Sequence, residues 1–369
     1  MRVLLVDQFA ELGGAQRGLL EAAEGFAERG WEVVAALPEG PLAEHLRPFC
    51  ADIAVIPCGP FESVRKGVSD VARFATQFRR QAGVIARMTS DVVYVSGPRL
   101  LAAAAWGRRG RPLVFHSHSI ITQQSAAQFA GLILRWSDAQ IIVSSKFVAS
   151  WLTPFVAPDR PVVIYNGIRD LGRGPRQRSE FTRVGVLGRI APEKGQLAFV
   201  RASRIAAEAD PSLTFQVTGA PLFGSHSYVD QLHREAGPRV HFTEWTDDIG
   251  DFFDQIDLLV VPSESVDANP RVIPEAYAAG VPVIAFDSGG IAELLVHQET
   301  GILVGERSPT ALAAAILQAV RDPAALNRYA LNAHQRWRDR YTLARFQSEV
   351  CGVLERTVAR HKAPASVSA

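Results

Sequence analysis

The chain has 369 residues, and its 39 lysines and arginines nearly balance 38 acids, so the formal net charge is +1. This length exceeds one ordinary core and predicts two domains. A hydrophobic content of 47% with 21% charged residues is typical of a soluble globular enzyme and argues against long disorder. The balanced charge gives no overall nucleic-acid-binding signature.

The cysteines and the apolar runs bear on the compartment. Cys50, Cys58 and Cys351 have neither metal-binding nor redox spacing, so a reducing cytoplasm is the simplest prediction. The apolar part of the N-terminus is too short for a signal peptide. No apolar run reaches the ~18–20 residues of a membrane span. We therefore predict a cytoplasmic protein.

The first half of the chain alternates short apolar runs with helical patterns. A strand at 3–6 leads to a glycine pair and a helix over about 15–29, closed by Gly30. Further strands are predicted at 31–36, 91–96, 113–116, 140–143 and 162–165. Short buried strands separated by helices indicate βαβ units with a parallel sheet. We expect one doubly wound domain over residues 1–168.

The second half repeats this pattern after a polar, basic stretch with glycine and proline, residues 169–183, which predicts a linker. Strands are predicted at 184–187, 213–218, 240–242, 258–261, 283–286 and 301–304, with helices such as 197–209 and 309–321 between them. We expect a second domain over 184–340, and a last helix, 343–360, packing back on the first domain. Open α/β sheets bind ligands beyond the carboxyl ends of their strands, so a cleft between the domains is the expected site.

The most informative stretch is DANPRVIPEAYAAGVPVIAF, residues 267–286. Asp267 and Glu275 stand eight positions apart around a turn, and we expect the following helix to begin at Pro274 and end at Gly280. A helix N-terminus favours phosphate, and carboxylates accept hydrogen bonds from sugar hydroxyls. The pattern predicts a site for a nucleotide-sugar rather than a generic α/β enzyme.

Two loops are candidates for phosphate binding. Gly13 and Gly14 open the first helix, where glycine lets the backbone approach phosphate; an ordinary strand–helix turn is the alternative. In the loop GRIAPEKG, residues 188–195, Arg189 and Lys194 would converge on a diphosphate. A solvated loop is the alternative there, and the position at a strand end favours phosphate.

His116 and His118 come at the end of a predicted strand and project to the same face. No acid or cysteine is near them in sequence, so a metal site is not predicted. One histidine that positions a hydroxyl is the better-supported functional hypothesis, and a structural histidine is the commoner alternative.

A basic segment runs from Arg65 to Arg111, with ten lysines and arginines against two acids. Its helical part has an apolar stripe that contains Phe74, Phe78 and Val84. Such a surface is suited to anionic lipid or to an anionic acceptor. The alternative is a solvated helix face above its core stripe.

Taken in order, these motifs resemble the retaining glycosyltransferases of family GT4, which have the GT-B fold. The resemblance covers most of the chain. It is carried by the glycine pair, His116, NGI at 166–168, GRIAPEKG, DLLVVPS at 257–263, the two carboxylates, and GVPVIAFDSGGIAEL at 280–294.

The resemblance implies an α/β fold of two Rossmann-like, doubly wound domains facing a central cleft. It implies transfer of a sugar from a UDP- or GDP-linked donor to a hydroxyl of a glycan, a lipid-linked glycan or a small molecule, with no metal, no cofactor and no nucleic-acid partner. The implied catalytic residues are His116, Asp267, Arg189 and Lys194. The implied donor-binding residues are Gly13, Gly14, Gly188, Arg189, Lys194, Gly219, Asp267, Asn269, Arg271, Val272 and Glu275.

Within that set, the resemblance assigns the diphosphate to Arg189 and Lys194, the ribose to Glu275 and the transferred sugar to Asp267. The chain departs from the family pattern at two positions of the loop that contains Asp267. Asp267 stands where glutamate is usual, and Pro270 replaces a glycine and has no N–H to donate. Both departures affect the pocket for the donor sugar.

Three other functions compete with transfer. A sugar-nucleotide 2-epimerase of GT-B-like fold would turn over a donor without an acceptor, but GRIAPEKG and NGI favour transfer. A non-catalytic nucleotide-sugar-binding protein is a different class, and Arg189, Lys194 and Glu275 argue against it. A nicotinamide dehydrogenase would need a glycine fingerprint that the chain does not match.

Overall fold

The computed structural model describes residues 1–58, 68–221, 226–245 and 248–363, without the side chains of 68–75 and 226. The chain forms two compact units. The first contains Met1–Gly167 together with Leu343–Ala369, and the second contains Ile168–Thr342.

The first unit is built on a parallel sheet of seven strands in the order β3-β2-β1-β4-β5-β6-β7 among the described residues. The strands are β1 Arg2–Asp7, β2 Glu32–Leu37, β3 Cys50–Val55, β4 Val92–Ser96, β5 Leu113–Ser117, β6 Gln140–Val143 and β7 Pro161–Val163. The helices are α1 Gly14–Glu28, α2 Pro41–Leu46, α3 Val68–Arg87, α4 Leu101–Gly107, α5 Gln124–Trp136 and α6 Lys146–Leu152.

The second unit has a six-stranded parallel sheet in the order β10-β9-β8-β11-β12-β13 over its described part. Its strands are β8 Arg183–Leu187, β9 Thr214–Thr218, β10 Val240–Thr243, β11 Leu258–Val261, β12 Val283–Phe286 and β13 Gly301–Val304. Its helices are α7 Gln196–Ala209, α8 His226–Glu235, α9 Ile249–Gln255, α10 Val272–Ala279, α11 Ile291–Leu294, α12 Pro309–Val320 and α13 Pro323–Arg340. Two parallel-sheet, Rossmann-like domains are thus confirmed.

The last helix, α14 Leu343–Lys362, belongs to the first unit. Phe346, Val350 and Leu354 are fully buried in the same core as the apolar side of α1. A methyl group at Gly25 would lie 2.7 Å from Cγ of Gln347, so α1 and α14 pack closely at this point. The chain therefore completes the first core with residues that follow the whole second unit.

The stretch predicted as a linker, 169–183, is part of the second unit. Arg173 Nε donates to Oδ2 of Asp254 on α9 at 2.9 Å, and the amide of Asn327 donates to the carbonyl of Arg178 at 2.8 Å. Arg178 also forms an ion pair with Asp257 at 2.7 Å, so both arginines meet acids that lie far along the chain. Their ion pairs and hydrogen bonds fix the segment against its own unit.

The predicted pattern lacks helix α2, strand β3 and helix α13. Strand β3 is an edge strand that contains exposed Asp52, so it lacks a buried apolar run. Helix α10 begins at Val272 and not at Pro274. A proline is tolerated there because the N–H groups of a first turn have no partner within the helix. Among the described residues, no helix has the length and apolarity needed to cross a bilayer.

Candidate functional site

The candidate donor site lies where the strand order of the second sheet reverses. Strands β8 and β11 are neighbours, although β9 and β10 come between them in the chain. Loops that leave such a pair at their carboxyl ends diverge to opposite faces of the sheet, which opens the crevice that α/β proteins use for ligands. Loop 188–195 follows β8, and the turn at 262–271 follows β11.

Glycines shape the first of these loops. Gly188 has φ of 155°, which a side chain rarely adopts. A methyl group at Gly219 would lie 2.0 Å from the carbonyl oxygen of Gly188, so the segments after β8 and β9 are in backbone contact. The amide of Gln196, which is buried, donates to the carbonyl of Arg189 at 2.8 Å. The loop thus has a fixed path from β8 to α7.

Gly195 brings this loop against the turn after β11. Its φ is 72°, and a methyl group there would lie 1.8 Å from the carbonyl oxygen of Pro262. Next to this contact, Lys194 Nζ donates to Oδ2 of Asp267 at 2.7 Å, and Ser263 Oγ donates to the same oxygen at 3.1 Å. The structure therefore brings together two residues that the sequence singled out separately.

Arg189 has a carboxylate partner within its own loop. Its guanidinium forms an ion pair with Glu193. Burial acts to raise the pKa of Glu193, but hydrogen bonds from its own backbone N–H and from Arg189 outweigh burial, and the pKa lies below its ordinary value. Two cations and two carboxylates thus face this site in matched pairs, Arg189 with Glu193 and Lys194 with Asp267.

The second carboxylate of the predicted motif lies in the first turn of α10. Glu275 is 7% exposed, and its Oε1 is 3.5 Å from Nε of Arg271. The turn before the helix is held by Gly290, whose N–H donates to the carbonyl of Asp267 at 2.8 Å. Gly289 has φ of 60°, and a methyl group there would lie 2.4 Å from that carbonyl oxygen. This packing fixes Asp267 and Glu275 on one short, rigid segment.

The predicted site residues divide between the two units. Those of the second unit lie on the two connected loops, directly after β9 and on α10: Gly188, Arg189, Lys194, Gly219, Asp267, Asn269, Arg271, Val272 and Glu275. Gly13, Gly14 and His116 belong to the first unit. Gly13 is the N-cap of α1, and no acid stands in the first turn of that helix.

Sequence reasoning missed Asp7, at the carboxyl end of β1. Asp7 is paired in register with Ser96 of β4, where the first sheet reverses its strand order. The side chain is 1% exposed and accepts hydrogen bonds from the N–H of Phe9 at 2.8 Å and from the amide of Gln16 at 3.3 Å. Burial raises its pKa to about 6, against the lowering effect of these bonds. The signal in the sequence was an acid at the end of the first strand, ahead of the glycine pair.

The Asp7→Asn variant is expected to gain stability over the parent protein as pH rises. The folded-state pKa, about 6, exceeds the reference value of 3.8, so the folded protein binds this proton more tightly than the unfolded chain. Ionisation of Asp7 therefore lowers the free energy of unfolding of the parent protein. This loss is close to zero near pH 4 and reaches roughly 3 kcal/mol above pH 6. Urea unfolding of both proteins between pH 4.5 and 7.5 measures the difference.

The matched control is Asp159→Asn, since Asp159 is an exposed acid of the same unit. A stability difference for Asp7→Asn that stays constant across this pH range would contradict the raised pKa.

His116 lies beneath His118 and away from the surface. It is fully buried, and Nδ1 forms a hydrogen bond with the hydroxyl of Tyr94. The rings of His116 and His118 are 3.9 Å apart, and Gly18 of α1 leaves room for His118, since a methyl group there would lie 3.3 Å from that ring. Burial, and then the charge of His118, lower the pKa of His116 well below its ordinary range. His116 is thus a neutral group that contacts His118, and His118 is the more exposed of the two.

No metal-binding cluster of three or more histidines, cysteines, aspartates or glutamates is found in the part of the chain that the structure describes.

Two parallel-sheet, Rossmann-like domains are the architecture of the GT-B glycosyltransferases. HepE from Anabaena, solved with UDP and glucose, has this fold with a TM-score of 0.82 and 24% identity, and the match covers 96% of this chain and 99% of HepE. The chain belongs to the glycosyltransferases of group 1 and family 4. One family model, described as glycosyl transferases group 1, matches residues 182–322, and another, described as glycosyltransferase family 4, matches residues 12–170.

Three relatives match parts of the chain, and two of them are named as a glycosyltransferase and a mannosyltransferase. An exopolysaccharide phosphotransferase from Streptomyces coelicolor is 29% identical over 67% of this chain. A putative glycosyltransferase from Bacillus subtilis, YtcC, is 31% identical over 40% of the chain, and a lipopolysaccharide core mannosyltransferase from Rhizobium leguminosarum, LpcC, is 30% identical over 46%. The matches cover only 26%, 39% and 49% of the lengths of these three relatives.

Proposed function

We propose that the protein transfers a sugar from a UDP- or GDP-linked donor to a hydroxyl acceptor, with retention of the anomeric configuration and without a metal or cofactor. The observation that carries this proposal is the contact of Lys194 with Asp267 beside Arg189, at the strand-order reversal of the second sheet. Retention and metal independence rest on the family resemblance.

The donor would bind by replacing the protein's own carboxylates as the ionic partners of Arg189 and Lys194. Arg189 and Lys194 each hold a carboxylate, so their charges are balanced within the protein. A diphosphate carries more negative charge than one carboxylate and offers bidentate geometry to a guanidinium. We propose that it takes over both cations, which leaves Asp267 able to accept hydrogen bonds from the sugar.

The same cations would then act in the reaction. Breaking the bond between the sugar and the diphosphate leaves negative charge on the phosphate oxygens. Fixed positive groups lower the barrier when they are already placed where that charge develops. Lys194 and Arg189 are held there by Gly195 and by the loop's own hydrogen bonds, so little reorganisation is needed.

The acceptor is proposed to be a hydroxyl of a glycan or a lipid-linked glycan. Relatives named for lipopolysaccharide core mannosyl transfer and for phosphatidylinositol monomannoside mannosyl transfer support this class. We further propose that the protein works at the inner face of a membrane, helped by the basic segment from Arg65 to Arg111. Residues 65–67 and the side chain of Phe74 lie outside the described part of that segment.

A thermal-shift comparison of UDP, GDP and their sugar conjugates tests the donor site, with the Glu275→Gln variant beside the parent protein. A ligand that binds only the folded state raises its stability in proportion to ln(1 + [L]/Kd). We expect one nucleotide to raise the unfolding temperature of the parent protein. The variant should bind that nucleotide about 10–100-fold more weakly, because hydrogen bonds to a charged group contribute roughly 1.5–3 kcal/mol.

The control for this variant is Glu299→Gln, at an exposed position of the same unit. An unchanged nucleotide affinity in Glu275→Gln would remove Glu275 from the ribose. Failure of every nucleotide to shift the well-folded parent protein would overturn the donor site as a whole. Donor turnover that needs no acceptor would favour the epimerase instead.

A further inference from the structure

An exposed aromatic surface lies on the first unit, outside the residues assigned to sugar transfer. We name it the aromatic patch and define it by Trp106 of α4 with Phe129, Leu132 and Trp136 of α5. These side chains are 66%, 49%, 54% and 62% exposed. The rings of Trp106 and Trp136 stack with centroids 6.3 Å apart, and Phe78 of α3 meets Trp106 edge-on at 6.4 Å. Large apolar side chains grouped on a surface mark a site of interaction.

The side chains of the aromatic patch cannot be buried in the core of the first unit, because the opposite faces of α4 and α5 are already packed. On α5, Ala127, Ala130 and Leu134 are buried, and a methyl group at Gly131 would lie 2.3 Å from Cβ of Phe155. On α4, a methyl group at Gly107 would lie 2.6 Å from the carbonyl oxygen of Ala82 on α3. The helices therefore cannot turn to bury the outer stripe, which follows helical spacing at positions 129, 132 and 136.

The charge around the patch is strongly biased. Residues 71–137 contain nine arginines and a single acid, Asp91, whose carboxylate accepts from the backbone N–H of Arg2. Arginines exposed on α3, after α4 and on α5 include Arg79, Arg80, Arg109 and Arg135. The nearest acid in sequence, Asp138, forms an ion pair with Arg160 at 2.9 Å. The helices that carry the patch therefore bear exposed arginines close in sequence to its apolar side chains, and this combination is complementary to an anionic partner.

We propose that the aromatic patch docks the first unit on an anionic lipid bilayer. Tryptophan places its ring at the level of the lipid headgroups, and arginines beside it meet anionic headgroups. A second copy of the chain fits less well, because a symmetric contact would bring the same arginines face to face. The inference rests on the proposed function in one respect, that the acceptor is held at a membrane; the lipid contact itself does not require sugar transfer.

Cosedimentation with lipid vesicles tests the surface. We expect the protein to bind vesicles of mixed phosphatidylglycerol and phosphatidylcholine and to bind pure phosphatidylcholine much more weakly, with a loss on raising salt. Trp136→Ala and Leu132→Ala are each expected to lower the vesicle partition coefficient about tenfold, since each removes apolar area from the interface. Arg109→Gln combined with Arg135→Gln is expected to lower it more than tenfold.

Matched controls lie on the second unit. Leu331 is 50% exposed, close to the 54% of Leu132, so Leu331→Ala removes the same side chain from a similarly exposed place. Arg338→Gln does the same for an exposed arginine of α13. Neither control is expected to change vesicle binding. Equal losses in Leu132→Ala and Leu331→Ala would overturn the assignment of the patch.

Three outcomes separate this inference from the proposed function. If the protein does not bind anionic vesicles but a nucleotide still raises its unfolding temperature, the lipid-docking proposal is wrong and the proposed donor site is retained. If vesicle binding persists while no nucleotide binds, the docking surface stands and the proposed function fails. If light scattering shows a dimer that Trp136→Ala converts to monomer, a second copy covers the patch and the lipid proposal is overturned.

Discussion

The Lys194→Met variant is expected to lose about 10²–10³-fold in kcat for sugar transfer, the effect of removing one preorganised group that stabilises developing charge. Methionine keeps much of the length of the side chain and removes only the ammonium that lies 2.7 Å from Oδ2 of Asp267. The measurement is the release of nucleoside diphosphate from the donor that thermal shift identifies. Because the ammonium is needed most when charge develops on the diphosphate, kcat should fall more than the donor KM rises.

Loss of the ammonium also leaves a carboxylate that is only 12% exposed without its cation. A buried charge whose partner is removed is destabilising, so lower activity has to be separated from lower stability. The double variant Lys194→Met, Asp267→Asn removes both charges and is expected to regain stability but not turnover. Lys362→Met, at a lysine 68% exposed on the last helix, is the surface control. Activity restored in the double variant would contradict a direct role for Lys194.

The Gly195→Ala variant is expected to disable the donor site through the backbone alone. At φ of 72° alanine is strained, and its methyl group would lie 1.8 Å from the carbonyl oxygen of Pro262. The loop after β8 must then move away from the turn after β11, which separates Lys194 from Asp267. We expect loss of nearly all nucleotide-induced thermal shift and of transfer activity, together with a stability loss of about 1–3 kcal/mol or more.

Gly172→Ala is a close control for this effect. Gly172 lies in the same unit with φ of 64°, and nothing lies within 4 Å of a methyl group placed there. The control carries the backbone cost of about 1–2 kcal/mol for a side chain in the left-handed region, without the collision. Similar nucleotide binding in the two variants would show that the contact with Pro262 does not position the site.

The sequence was sufficient for the parallel strands because such strands are buried on both faces and read as continuous apolar runs. Strand β3 lies at the edge of the sheet, and Asp52 interrupts its apolar residues. It therefore lacks the continuous apolar run that predicts a buried strand. The start of α10 was displaced by two residues because Pro274 marks a first turn without fixing which position of that turn it takes.

The candidate site was predictable as a set of residues and not as a set of contacts. Lys194 and Asp267 are 73 positions apart, and their contact depends on β8 and β11 being neighbours, which the order of strands along the chain does not reveal. Likewise, alternation along a strand places His116 and His118 on one face, but β5 ends at Ser117. Because His118 follows the end of the strand, its ring lies over His116 instead of beside it.

The return of α14 to the first unit has a consequence for synthesis of the chain on the ribosome. Phe346, Val350 and Leu354 are among the residues of α14 that complete a core, and the rest of that core precedes Gly167. Translation proceeds at about 5–20 residues per second, so the apolar side of α1 lacks its partner α14 for on the order of ten seconds or more while the second unit is synthesised. The second unit is continuous in sequence and can close its core first. The unit translated first is therefore finished last, and a chain stopped at Thr342 would expose the groove that α14 fills.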